Sequence, residues 1–203
     1  MRRPPSYDLS HQFGPGPWTP AVRAIIIANV VVYLVTIAAP EIVVRLLGLT
    51  PHLVLTSGRL WQMGTYAFVH DPDVFGHILF NMLYIWMFGV DLERRWGSAG
   101  LAKYYAITAL GAATTIVLVS LLPFEAARAN YAVPTIGASG AVYGLLLAWA
   151  LAFPHRTILF MMVIPIRAWV FALIMAAIVF FSAAGSGGNG VSHLAHAGGL
   201  ITG

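Results

Sequence analysis

The chain has no cysteine and very little charge. The absence of cysteine among its 203 residues excludes disulfides, thiolate catalysis and cysteine-ligated metals. Only 9% of the residues are Asp, Glu, Lys or Arg, whereas soluble domains use about 25%. The 11 basic and 7 acidic residues give a net charge of +4 with no basic cluster, so the composition also excludes a nucleic-acid partner.

Hydrophobic residues make up 59% of the chain, and its mean hydropathy is +0.81, which predicts a polytopic membrane protein. A helix needs about 20 apolar residues to cross a bilayer. The charged residues leave five long uncharged windows, 24–40, 74–90, 104–124, 129–155 and 168–203. The first three windows predict one span each.

The last two windows need further division. Pro134 and Gly137 favour a loop before a fourth helix at about 139–153, and the glycine-rich run 185–190 separates a span near 168–183 from a sixth that starts near Val191. The sequence therefore predicts an all-α membrane protein of six transmembrane helices, without strands. The connection 41–73 is expected to lie at the membrane interface, and 157–166 is expected to form an interfacial or extended loop.

Residues 1–20 are proline-rich and are expected to form a disordered cytoplasmic tail, and 21–203 the membrane domain. With that orientation, eight of the 11 basic residues face the cytoplasm, as the positive-inside rule requires. We therefore expect a multi-pass protein of the plasma or inner membrane. The sixth helix has only about a dozen residues before Gly203, which is too short to cross, so we expect the given sequence to be truncated inside that span.

Several polar side chains fall inside predicted spans, where such groups are costly and indicate function. His77 and Asn81 are four residues apart on one helical face, Ser139 begins the fourth span, and His193 and His196 lie in the sixth.

Small residues at four-residue spacing predict which helices touch. The fourth span has such a stripe at Gly140, Gly144 and Ala148, and the sixth has one at Ala195, Gly199 and Gly203. Such stripes let helix backbones approach closely, so we expect these two spans to pair. Ser139 and His196 each flank a stripe, and a serine hydroxyl beside an imidazole makes a nucleophile and its general base.

Other residues could complete such a site. Tyr143, one turn after Ser139, could hold the His196 ring. Unpaired N–H groups at the start of the fourth helix and the His77 and Asn81 side chains could donate hydrogen bonds to an oxyanion.

At these residues the chain resembles the rhomboid intramembrane serine proteases from about residue 22 onward. Four motifs carry the resemblance: His77-Ile-Leu-Phe-Asn81, Leu92-Glu-Arg-Arg-Trp-Gly97, Gly137-Ala-Ser139-Gly-Ala-Val-Tyr143-Gly144 and Ala195-His196-Ala-Gly-Gly199.

The resemblance implies a six-helix rhomboid bundle with a Ser139–His196 dyad in a water-filled cavity that opens to the extracytoplasmic side. It also implies Tyr143 against the histidine and an oxyanion site at His77, Asn81 and the Ser139 N–H, with Gly137 in the matching glycine position. The implied substrates are single-pass transmembrane proteins, without a cofactor. One departure is Trp61-Gln62, where many members have Trp-Arg, which puts an arginine-based tie in that loop in doubt.

Other interpretations of these residues stay open. Ser139, His77, Asn81 and Tyr143 could be packing or interhelical residues, His193 competes as the base but is expected to be structural, and His70 could bond within its loop. Glu93 is expected to tie helix ends or to pair with an arginine, without a chemical role. The three span histidines lack an HExxH pattern and an acidic partner, so no metal is expected. The alternative function is an inactive rhomboid-like protein that binds transmembrane helices.

Overall fold

The computed structural model describes residues 14–123, 128, 130–160, 163–184 and 190–203, and these are mostly helical. The helices are α1 (Pro20–Ala38), α2 (Pro40–Leu47), α3 (Pro51–Ser57), α4 (Gln62–Thr65), a 3₁₀ turn (Tyr66–Phe68), α5 (Phe75–Ser120), α6 (Ser139–Ala152), α7 (Ala168–Ala184) and α8 (Gly190–Thr202). Residues 1–13 of the predicted tail, and most of the glycine-rich run 185–190, lie outside the described residues.

The second and third predicted spans lie in α5 as two helical segments that are separated at Gly97. The backbone there has φ +73° and ψ 167°, a conformation that glycine adopts without steric cost. The kink divides α5 into a first segment, α5a (75–96), and a second segment, α5b (98–120). Each is long enough to match one predicted span.

Glu93 ties the start of α1 to the kink of α5. Its carboxylate accepts hydrogen bonds from the Ala21 and Val22 N–H groups, both at 2.9 Å, from the Thr19 hydroxyl and from the Ser98 hydroxyl at 2.6 Å. The first N–H groups of a helix have no partner inside the helix and attract negative charge. The prediction that Glu93 ties helix ends is thus confirmed.

Residues 14–19 lie along α5a. The Trp86 indole donates to the Gly16 carbonyl at 2.9 Å, and Arg94 donates to the Pro15 carbonyl at 2.7 Å. Residues 14–19, which were expected to belong to a disordered tail, are therefore held by side chains of α5a.

Residues 157–166 were expected to form a loop without strands, and that expectation is wrong. Thr157–Phe160 (β1) and Ile164–Arg167 (β2) pair antiparallel, with Ile158 opposite Ile166. The two ends of the connection are held together because the Ala168 N–H donates to the Arg156 carbonyl at 2.8 Å. An extended chain with joined ends satisfies its backbone groups by pairing with itself.

The connection 41–73 contains the short helices α2, α3 and α4, and Gln62 holds its parts together. The fully buried Gln62 side chain donates to the Arg45 carbonyl at 3.2 Å and accepts from the Thr50 N–H at 3.2 Å. The neighbouring Trp61 indole donates to the Leu46 carbonyl at 2.9 Å. Gln62 therefore holds the parts of this connection together, in place of the arginine-based tie that was in doubt.

Small residues bring α5b, α6 and α8 together. A β-carbon on Gly199 would lie 1.9 Å from the Gly140 carbonyl oxygen, and one on Gly203 would lie 2.8 Å from the Gly144 Cα. Backbones approach this closely only where side chains are missing. The predicted pairing of the fourth and sixth helices is confirmed.

By length and composition, α1 and α5 qualify as membrane-spanning helices, whereas α6 and α7 are apolar but shorter. The helical fold class is thus confirmed, and the crossing number of six stays a prediction.

The Glu93 tie gives a stability prediction. We expect Glu93→Gln to lower the free energy of unfolding by about 2 kcal/mol, because hydrogen bonds to a charged acceptor contribute about 1.5–3 kcal/mol. Thermal unfolding in detergent measures it. The control is Glu41→Gln, which removes an exposed carboxylate from the first turn of α2. If Glu93→Gln and Glu41→Gln unfolded at the same temperature, the capping role of Glu93 would be contradicted.

Candidate active site

A cavity of about 410 Å³ collects most of the predicted site residues. Its lining comes from α5a, α6 and α8 and comprises Val74, Gly76, His77, Phe80, Asn81, Tyr84, Ser139, Val142, Tyr143 and His196. Polar groups from three separate parts of the chain therefore converge on one mostly apolar cavity, which is the usual character of a ligand or active site.

Ser139 is the first residue of α6, and the segment before it is anchored to the 41–73 connection. The Gly137 N–H donates to the Tyr66 carbonyl at 3.0 Å, and the Ala138 N–H points at His70 Nε2 at 3.5 Å. The first N–H groups of α6 have no partner inside the helix. Ser139 thus combines a hydroxyl that lines the cavity with free backbone donors nearby.

Gly137 is required by both its conformation and its neighbour. Its φ is +117°, a region that L side chains rarely adopt. A β-carbon at this position would lie 2.6 Å from His77 Nε2. Glycine therefore lets the His77 ring lie directly against the backbone that leads into Ser139.

A hydrogen bond to the His77 ring favours one position for its proton. The Asp71 N–H donates to His77 Nδ1 at 3.4 Å, so the neutral ring carries its hydrogen on Nε2, the atom beside Gly137. One N–H of Asn81 donates to the His77 carbonyl at 2.7 Å, and the amide has a second N–H. Both side chains line the cavity and have a donor available for it.

His196 stacks on Tyr143. The ring centroids are 4.3 Å apart with an interplanar angle of 23°, so the predicted contact between Tyr143 and the histidine is confirmed. The His193 ring lies 6.2 Å from that of His196 and is not among the residues that line the cavity. The geometry therefore favours His196 over His193 as the partner of Ser139.

His70 is the site residue that the sequence left undecided. It is fully buried, its Nδ1 lies 3.4 Å from the Phe68 carbonyl, and its ring centroid is 4.9 Å from that of His77. With the contact to Ala138, the ring connects the loop, the His77 side chain and the segment before Ser139. No sequence pattern signalled this, because the loop's path decides it.

The burial of His70 predicts pH-dependent stability. Burial and the neighbouring His77 ring lower the pKa of His70 from 6.5 to about 4. The unfolded chain binds this proton below about pH 6.5, but the folded chain binds it only near pH 4. The stability that neutral His70 contributes is therefore complete above pH 6.5 and is lost as the pH falls. We expect the free energy of unfolding to be lower by about 2 kcal/mol at about pH 5.

Unfolding temperatures at about pH 7.5 and about pH 5 measure this effect. His70→Gln should show a smaller pH dependence than the wild type. His155→Gln, on the surface, is the control. If the unfolding temperature of His70→Gln depended on pH as strongly as that of the wild type, the assignment of this effect to His70 would be contradicted.

Comparison with known proteins shows which family the chain is similar to. Residues 57–203 match the Rhomboid domain. Rhomboid protein 1, mitochondrial, of Saccharomyces cerevisiae is 34% identical over 140 residues, which cover 68% of this chain and 38% of the yeast protein. RHOMBOID-like protein 12, mitochondrial, of Arabidopsis thaliana is 30% identical over 127 residues, 59% of this chain and 37% of that protein.

A third relative, Rhomboid-like protein 16, chloroplastic, of Arabidopsis thaliana, is 27% identical over 156 residues, 71% of this chain and 47% of the relative. The chain spans less than half the length of each of these relatives. Their names place them in mitochondria or chloroplasts, whereas the sequence predicted a plasma or inner membrane. The comparisons thus support a membrane protein.

Proposed function

Because the chain belongs to the rhomboid family, we propose that it is an intramembrane serine endopeptidase that uses a Ser139–His196 dyad. The observation that carries this proposal is that Ser139 from α6 and His196 from α8 line the same cavity, while Tyr143 stacks on the imidazole. The stacking supports the proposed role of Tyr143, which is to hold the base in place.

In the proposed reaction, the Ser139 hydroxyl attacks the scissile carbonyl and His196 takes up its proton. The same imidazole then gives that proton to the leaving amine, and water hydrolyses the acyl-enzyme with His196 again as the base. None of the described residues that line the cavity carries a carboxyl group. The stacked tyrosine ring takes over the orienting role that an acid has in a triad.

The tetrahedral intermediate needs donors for its oxyanion, each worth about 3–4 kcal/mol when well placed. We assign this role to the Ser139 N–H, His77 Nε2 and the free N–H of Asn81. Gly137 contributes by its missing side chain, since any β-carbon there would occupy the space of His77 Nε2.

The proposed substrates are single-pass transmembrane proteins, which reach the cavity laterally between α5a and α7. These helices meet at Phe88 and Phe171, whose ring centroids are 6.2 Å apart. Phe80, one of the residues that line the cavity, is 56% exposed and lies more than two turns from that contact. This arrangement supports a gap on the Phe80 side, which we place on the extracytoplasmic side of a cell membrane with the N-terminus in the cytoplasm.

The alternative is a rhomboid-like protein that binds transmembrane helices without cleaving them. Its cavity would not need a nucleophile and a base together. The presence of both Ser139 and His196 at one cavity favours the protease.

Reconstitution separates the two functions. The full chain is placed in liposomes with a single-pass protein that has small residues near one end of its transmembrane helix, and the products are identified by mass spectrometry. The protease predicts two fragments that together account for the substrate. A stable complex with an intact substrate would support the helix-binding alternative and contradict the proposed function.

A further inference from the structure

A second cavity of about 470 Å³ lies between α1 and α5a. Its lining is almost entirely apolar and includes Ile26 and Val30 on α1, Trp18 just before α1, and Phe75, Leu79 and Trp86 on α5a. On α5a the groove lies on the face opposite the catalytic cavity, because 75, 79 and 86 are on average about half a helical turn away from 77, 81 and 84. We call this second cavity the α1–α5 groove.

The groove is about as long as one acyl chain. On α5a it runs from Phe75 to Trp86, eleven residue steps or about 16 Å at 1.5 Å per residue. The hydrocarbon core of a bilayer is about 30 Å thick, so one leaflet accounts for about 15 Å. A groove of this length, open on the outside of two apolar helices, fits one extended acyl chain.

Positive charge lies at one end of the groove. Arg23 is three residues before Ile26 and seven before Val30, and therefore continues the α1 stripe that lines the groove. Its side chain is exposed, and within the described part of the chain it has no ion-pair partner. The acidic groups at this end are already engaged, Glu93 with the start of α1 and Asp91 with Arg156.

We infer that the α1–α5 groove is a phospholipid site, in which one acyl chain fills the groove and an anionic headgroup pairs with Arg23. Trp18 and Trp86 line the same end, and indoles favour the headgroup level of a bilayer. The bound chain supports the outer face of α5a, the helix whose inner face carries His77 and Asn81. This site does not depend on the proposed protease activity.

Native mass spectrometry of the full chain in detergent tests the site. The probes are phosphatidylglycerol and phosphatidylcholine with identical acyl chains. We expect the wild type to retain one lipid and to prefer phosphatidylglycerol. Arg23→Gln should retain about fivefold less phosphatidylglycerol, the effect of one basic residue at an anionic surface. Val30→Trp and Leu79→Trp, which fill the groove from its two walls, should lose both lipids.

Matched controls are Lys103→Gln and Leu118→Trp, which change an exposed cation and an exposed apolar side chain on α5b. Both should retain lipid like the wild type. Equal retention by all variants would overturn the inference, as would groove variants that lose a dimer while they keep the lipid, since the occupant would then be a second copy of the chain. The same measurement on Ser139→Ala, expected to match the wild type, separates this result from failure of the protease proposal.

Discussion

Ser139→Ala is expected to lower the rate of substrate cleavage by at least about 10⁴-fold, the order found when a serine nucleophile is removed from a catalytic unit. The remaining cavity can still bind a peptide, but it has no group that forms the acyl-enzyme. Ser139 is only half-buried at the cavity wall, so its truncation should leave the unfolding temperature nearly unchanged. Cleavage rates in proteoliposomes measure the effect.

The matched control for this variant is Ser182→Ala, which removes a half-buried serine from α7 away from the cavity lining. It should cleave at the wild-type rate. If Ser139→Ala kept more than about a tenth of the wild-type rate, a role as nucleophile would be untenable.

Gly199→Ala is expected to have the second largest effect, with a loss of cleavage of about 100-fold and of about 1–3 kcal/mol of stability. The added β-carbon would lie 1.9 Å from the carbonyl oxygen and 2.7 Å from the carbonyl carbon of Gly140. Both are backbone atoms, so α8 must move away from α6, and overpacking of this kind costs about 1–3 kcal/mol. A shift of about 1 Å between reacting groups costs about 100-fold in rate.

Gly64→Ala is the control, because a β-carbon at Gly64 meets no atom within 4 Å. Unfolding temperature and cleavage rate are measured for both variants. Wild-type behaviour of Gly199→Ala would mean that α6 and α8 do not approach as closely as described, and the geometry of the dyad would then need revision.

The helix positions and the pairing of α6 with α8 could be predicted because local sequence encodes them. Uncharged windows mark apolar helices, and small residues four apart mark the face where two backbones meet. The glycines that form the contact, Gly140 and Gly199, are adjacent in sequence to Ser139 and near His196. The spacing of these residues in the sequence therefore predicted the central part of the candidate site.

The features that the sequence did not predict depend on residues far apart in the chain or on the path of a loop. The position of His70 beside Ala138 joins residues 68 apart. Glu93 was expected to tie helix ends, but its partner at the start of α1, 72 residues away, was not identified. The β1–β2 hairpin was missed because its segment shows no alternation of apolar and polar residues, and pairing follows from how Arg156 and Ala168 close the connection.

Labelling with a fluorophosphonate probe tests the dyad most directly, since the probe reacts only with an activated serine hydroxyl. The wild type, Ser139→Ala and His196→Ala are compared in detergent at equal protein concentration. We expect the wild type to be labelled and neither variant to be labelled, because Ser139 carries the hydroxyl that reacts and His196 is the base that activates it. Equal labelling of all three proteins would contradict the Ser139–His196 dyad.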